Sequence, residues 1–185
     1  MCKSNYLKTF ILLLIMLCGY MMSCDSEKKI REDLESMQSS KIQFFQDSMI
    51  CINQEYKNDE KEKQLLKLVV FVDSSECSAC ALSRLGEWYP YLQDFDSLND
   101  FLFLVILESK KLDIEYAKEQ LEIASVHTPV YIDTLSIFRK HNPQIPDNKL
   151  FHTFLLDESD KVLLVGNPLR NEQIDKLLRK IVKEH

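Results

Sequence analysis

Two cysteines separated by two residues, Cys77 and Cys80, are the side chains of this sequence best suited to covalent chemistry. They follow the apolar run Leu66 to Val72 and the polar closure Asp73-Ser74-Ser75-Glu76. They open a stretch, Cys77 to Leu92, whose apolar residues recur at helical spacing. A CxxC at a helix start brings two sulfurs within bonding reach, and the free amides and partial positive charge there favour the thiolate, the form that attacks a disulfide. Cys77 is therefore the predicted nucleophile. Cys80 stands one turn later, where its sulfur can attack a mixed disulfide and release the partner. Ser78 and Ala79 are small and leave the helix start accessible. Glu76, ionised and close, would oppose the thiolate by like-charge repulsion; as a solvated turn residue it would have no effect.

The amino terminus sets the redox compartment. Lys3 and Lys8 precede the apolar run Phe10 to Leu17, a positive segment followed by a hydrophobic one that is shorter than the roughly 20 residues of a membrane-spanning helix. Met21-Met22-Ser23-Cys24 then resembles a bacterial lipoprotein cleavage site, which implies that residues 1–23 are a signal peptide and that Cys24 carries the lipid. An uncleaved signal anchor is the alternative. Either places the folded part on the periplasmic side of a bacterial membrane. Cys2 and Cys18 would leave with the signal, so Cys51, Cys77 and Cys80 remain as thiols, one natural pair and one leftover in an oxidising setting. Cys51 reads as a small buried hydrophobe.

Of the 185 residues, 45% are hydrophobic and 28% charged, enough for a core and unlike a disordered chain. A net charge of -6 offers no basic face for a phosphate backbone, so nucleic acid is not an expected partner. Three glycines are too few for a glycine-rich nucleotide cradle, and no GxGxxG or GxxxxGK[ST] occurs. No second CxxC and no HxxxH completes a four-ligand zinc site. The dithiol reading needs no cofactor and no metal.

Residues 24–41 read as a charged tether with little buried structure, and residues 42–185 as the domain, its core beginning near residue 66. Leu66 to Val72 and Phe101 to Leu107 are continuous apolar runs, the pattern of strands covered on both faces. Asn58 to Lys63 reads as a charged turn, and Pro90 must kink or end the helix that Cys77 opens. Leu112 to Ala124 is amphipathic, Val130 to Ile132 a short strand, Leu135 to His141 a short helix, and Pro143 to Pro146 an extended loop. His152 to Leu156 and Lys161 to Val165, joined by Asp157-Glu158-Ser159-Asp160, predict an antiparallel hairpin. Asn171 is a plausible cap for the last helix, with Ile174, Leu177, Leu178, Ile181 and Val182 on one face. Trp88 and Tyr89 read as packing of the cysteine-bearing helix.

Strands with helical crossovers followed by a hairpin and a helix imply an α/β fold, a mixed sheet flanked by helices. With CxxC between the first core strand and its helix, the region from about Leu66 to His185 resembles the thioredoxin superfamily. Val130 to Gly166 is most similar to its TlpA-like branch of exported, membrane-tethered members. The resemblance implies redox tuning by Ser78 and Ala79. It also implies a proline directly before the strand that faces the CxxC, and here the chain departs from the pattern. Phe151 or His152 stands in that place; Pro146 lies too early, and Pro129 precedes a different strand unless the hairpin assignment slips. Ser83 occupies a position that is often acidic in that branch. His152 could then carry protons beside Cys77, its ordinary pKa near 6.5 suiting the task, or make a structural hydrogen bond at the strand edge.

The favoured function is a lipid-anchored thiol-disulfide oxidoreductase acting on exported proteins that bear thiols or disulfides and recycled by an upstream membrane reductant. The competing reading is a non-catalytic binding module in which Cys77 and Cys80 form only a structural staple. A thiol peroxidase and a copper carrier rank lower: Ser74 stands three before Cys77, but Val70 occupies the proline place of the peroxidase pattern.

Overall fold

The computed structural model describes residues 26–53, 66–96 and 101–185. The signal segment, Cys24 and the turn Asn58 to Lys63 lie outside the described residues. Two units divide the chain, one up to Ser36 and one from Met37 to His185. In the first, residues 26–36 are helical and mostly exposed, Ile30 and Leu34 included.

Six strands form the sheet of the second unit: β1 (Ile50–Ile52), β2 (Leu66–Val72), β3 (Phe101–Glu108), β4 (Val130–Asp133), β5 (Thr153–Leu156) and β6 (Val162–Val165). Their order is β1-β4-β3-β2-β5-β6. β2, β3 and β4 run parallel, while β1, β5 and β6 pair antiparallel with their neighbours. The predicted mixed sheet flanked by helices is the fold observed. β2 lies against β3 from Leu66 opposite Phe101 to Val72 opposite Leu107, and β5 covers its other edge.

Alternation along the central strands divides the interior in two. Leu66, Leu68 and Val72 of β2, with Phe103, Val105 and Leu107 of β3 and Leu155 of β5, face the helical side. There they meet Leu82 from α1 (Ser78–Arg84), Tyr91 and Phe95 from α2 (Tyr89–Asp96), Leu121 from α3 (Ile114–Ile123) and Leu178 from α5 (Glu172–Glu184). Val69, Phe71, Leu104, Ile106 and Phe154 point the other way. That second core is closed by Phe138 of α4 (Ile137–His141), Ile145, Phe151 and, from before the sheet, Met37 and Ile42.

Met37 is fully buried, and the Ser39 amide and Ser40 carbonyl bond to Val162 at 3.2 and 2.9 Å. The last residues of the segment read as a solvated tether are thus part of the fold. A methionine is unbranched and fits an irregular gap without a regular pattern around it, which is why periodicity misses it.

Pro90 divides the stretch that begins at Cys77. α1 stops at Arg84, Leu85–Trp88 form a 3-10 turn, and α2 starts at Tyr89 with Pro90 second. In the first turn of a helix the missing amide hydrogen needs no partner, so proline starts a helix that it could not continue.

Candidate active site

Val72 ends β2 and Asp73 turns the chain. The Asp73 carboxylate accepts from the Ser75 amide at 2.9 Å and the Ser75 hydroxyl at 2.5 Å, and its carbonyl accepts from the Glu76 amide at 3.1 Å. This turn delivers Cys77 as the N-cap of α1 in extended backbone, φ -66° and ψ 111°. Cys77 Sγ accepts from the Cys80 amide at 3.4 Å and from the Cys80 thiol at 2.7 Å. Both residues are exposed.

The two thiols are not equivalent. Donation from the Cys80 S–H, then from the amides of Cys80 and Ala79, favours the Cys77 thiolate and holds its pKa below the usual thiol value. Giving that bond and facing that charge raises the pKa of Cys80. Such a pair offers one sulfur suited to attack and one held back, the division of labour that thiol-disulfide exchange would need.

Around the dithiol lies an open groove of about 660 Å³, lined among others by Glu76, Arg84, Lys149, His152, Thr153 and Arg170. Glu76 fits neither reading made of it from sequence. It is half-buried and its carboxylate pairs with Arg84 Nη2 and, at 3.3 Å, with Lys149 Nζ, so its charge is answered within the protein. Phe151 closes the second core and is buried. His152 lines the groove together with Cys77, whereas Pro129 lines a separate cavity beside Phe101 and Phe103. Ser83 donates to the Cys80 carbonyl at 3.0 Å. Trp88 is buried and its ring lies 5.2 Å from Phe103 and 5.8 Å from Tyr91. Tyr89 differs from the packing role expected: it is 43% exposed and accepts from Gln93 Nε2 at 2.7 Å. Cys51 is half-buried on β1.

His152 is buried, with Nε2 2.9 Å from the Pro146 carbonyl and Nδ1 3.9 Å from Asp73 Oδ2. A carbonyl can only accept, so the neutral ring carries its proton on Nε2. Burial depresses the His152 pKa, partly opposed by Pro146 and Asp73. The native state therefore refuses a proton that the unfolded chain accepts near pH 6.5, so its stability falls as pH drops below that value. We expect His152→Gln to flatten the decline of the urea midpoint between about pH 7 and pH 5; curves that stay parallel to those of the unaltered protein would sink this assignment.

Sequence reasoning missed the support beneath this turn. Arg139 on α4 reaches Asp73 at 3.4 Å, Glu108 at 3.5 Å and Asp147 at 2.6 Å, and its guanidinium lies 5.2 Å from the Phe71 ring centroid. Asp73 and Glu108 are both buried. Burial works to raise the Asp73 pKa, but the Ser75 bonds and the neighbouring Arg139 charge take it below the usual value. The only signal in the sequence was that β3 ends on an acid and another directly follows β2. Among the described residues no three His, Cys, Asp or Glu side chains gather to hold a metal ion.

The architecture, with the dithiol at the end of a central parallel strand, is a thioredoxin-like fold. It superposes on the thioredoxin domain of a thiol-disulfide oxidoreductase from Bacteroides vulgatus with a TM-score of 0.54 at 16% identity, over 78% of this chain and 97% of that one. The C-terminal domain of a putative thiol-disulfide oxidoreductase from Bacteroides thetaiotaomicron gives 0.55 at 16%, over 81% and 99%. A cysteine-to-serine mutant of PrxQ from Xylella fastidiosa gives 0.53 at 12%, over 78% and 98%. No protein-family model matches the chain, and no curated protein matches it in sequence.

Proposed function

We propose that this chain is a thiol-disulfide oxidoreductase of the TlpA-like kind. Its Cys24 carries a lipid that holds the domain on the periplasmic side of a bacterial membrane, and its substrates are exported proteins bearing thiols or disulfides. The observation that carries this reading is the exposed Cys77–Cys80 pair, sulfurs 2.7 Å apart and oppositely shifted in acidity, beside an open groove. A structural staple has no need of solvent access or of a stabilised thiolate. The thiol-disulfide oxidoreductase domains from Bacteroides that share this fold support the same chemistry.

In the reducing direction, the Cys77 thiolate attacks one sulfur of a substrate disulfide. A bond forms between that sulfur and Cys77 Sγ, and the other substrate sulfur leaves with the electron pair and takes a proton. Cys80, deprotonated in its turn, attacks Cys77 Sγ, expels the second substrate thiolate and leaves the Cys77–Cys80 disulfide. Two electrons pass from the dithiol to the substrate, and a membrane dithiol reductant would restore the resting pair.

A Cys80→Ser variant produced in a periplasm should accumulate partners joined to Cys77, visible as adducts on a non-reducing gel that collapse when a reductant is added. Absence of adducts from Cys80→Ser, together with no turnover of insulin or glutathione disulfide by the unaltered protein, would overturn the reading.

A further inference from the structure

The wall that shares the groove with Cys77 has little main chain to offer a visiting strand. Pairing with an added strand needs unsatisfied backbone N–H and C=O groups. Along residues 149–153 most of these are spent within the fold. The Leu150 amide donates to Asn148 Oδ1 at 3.1 Å, the Phe151 amide to the Asn148 carbonyl at 3.0 Å and the His152 amide to the Lys149 carbonyl at 3.2 Å. The carbonyls of His152 and Thr153 are taken by the amides of Phe71 and Gly166, each at 2.8 Å.

Side chains are what remain, and they are charged. Arg84, Lys149 and Arg170 line the groove with 50%, 54% and 65% of their side chains exposed, while their partners Glu76 and Glu87 lie lower, at 22% and 40%. Three cations answer two carboxylates, and His152 is neutral. The mouth of the groove therefore reverses the sign of a chain whose net charge is -6.

We infer that the site selects a substrate cysteine flanked by carboxylates, which Lys149 and Arg170 receive, and that it holds this segment through side-chain charge without strand pairing. This inference builds on the exchange activity proposed above and specifies its substrate class.

The test uses three short peptides in which cysteine lies between two glutamates, two glutamines or two lysines, each joined by a disulfide to 2-thiopyridine. The Cys77 thiolate bonds to the peptide sulfur, the bond to thiopyridine breaks, and 2-thiopyridone leaves with the electron pair and is read by absorbance. Cys80 then displaces the peptide thiol and closes the Cys77–Cys80 disulfide. Each rate is divided by that of mercaptoethanol with the same peptide, which removes intrinsic reactivity.

Exposed ion pairs are individually weak, so the glutamate peptide should lead the lysine peptide by about threefold to tenfold at low salt. The lead should vanish at about 0.5 M salt and in the Lys149→Gln, Arg170→Gln double variant, both positions being exposed. N-methylation of the amides flanking the cysteine should leave the rate within about twofold, since no strand pairing is lost. Equal rates for the three peptides, a lead for lysine, a lead that survives the double variant, or a tenfold loss on N-methylation would each overturn the inference while leaving exchange intact. Failure of all three peptides to react, the glutamine peptide included, would overturn the exchange activity as well.

Discussion

Replacing Cys77 with serine is expected to lower the rate of disulfide exchange by at least about a thousandfold, because a serine hydroxyl is not ionised near neutral pH and no other exposed sulfur stands at the N-cap of α1. Cys80→Ser should differ in kind, keeping the first attack and stopping at the mixed disulfide. A subtler variant tests the electrostatics. The Cys80 S–H is the largest cause of the lowered Cys77 pKa, so Cys80→Ala should move the inflection of the alkylation rate of Cys77 to higher pH. The serine hydroxyl can still donate and should move it less. Retention of exchange in Cys77→Ser, or an inflection indifferent to position 80, would show that the asymmetry of the pair has another origin.

The second large effect is on stability. Arg139→Met should cost about 3–5 kcal/mol, the usual result of removing one partner from a buried ionic cluster. Two of its three carboxylates, those of Asp73 and Glu108, have side chains 8% and 4% exposed and would be left without their cation. The third, Asp147, is 97% exposed and should contribute little. Ser136 still donates to Glu108 at 2.6 Å and Ser75 to Asp73, so collapse need not be complete. Arg139→Lys should recover only part of the loss, since one ammonium cannot reproduce the guanidinium fork across two strand ends. Urea denaturation measures both; a loss below about 1 kcal/mol in Arg139→Met would show that the cluster is not a unit.

What could be seen beforehand followed the range of the interactions involved. β2, β3, the hairpin and the helix capped by Asn171 were legible because continuous apolar runs, short polar turns and amphipathic spacing are local patterns. The position of the CxxC after a strand was legible for the same reason. β1 lies beyond such reading, because nothing local says that Ile50 to Ile52 pair antiparallel with β4. Lys67 shows the limit most sharply. It interrupts a buried strand, yet it is accommodated because Asp160, 93 residues away, lies 2.8 Å from its ammonium. Arg139 escaped notice likewise, since its partners come from two strand ends and a loop that only folding brings together. Glu76 was read by its neighbour in sequence, whereas its charge is governed by Arg84 and Lys149.

The placement of β2 has a further consequence for a molecule that would alternate between two covalent states. With β3 on one edge, β5 on the other and a core on each face, this strand sits where local opening is rarest. The sulfurs belong instead to the brief helix that follows it, seven residues long and cut off by the 3-10 turn before Pro90. Making and breaking a sulfur–sulfur bond can thus be absorbed within the first turn of that helix, ahead of its core-packed Ala81 and Leu82, with the sheet serving as an anvil that does not register the blow.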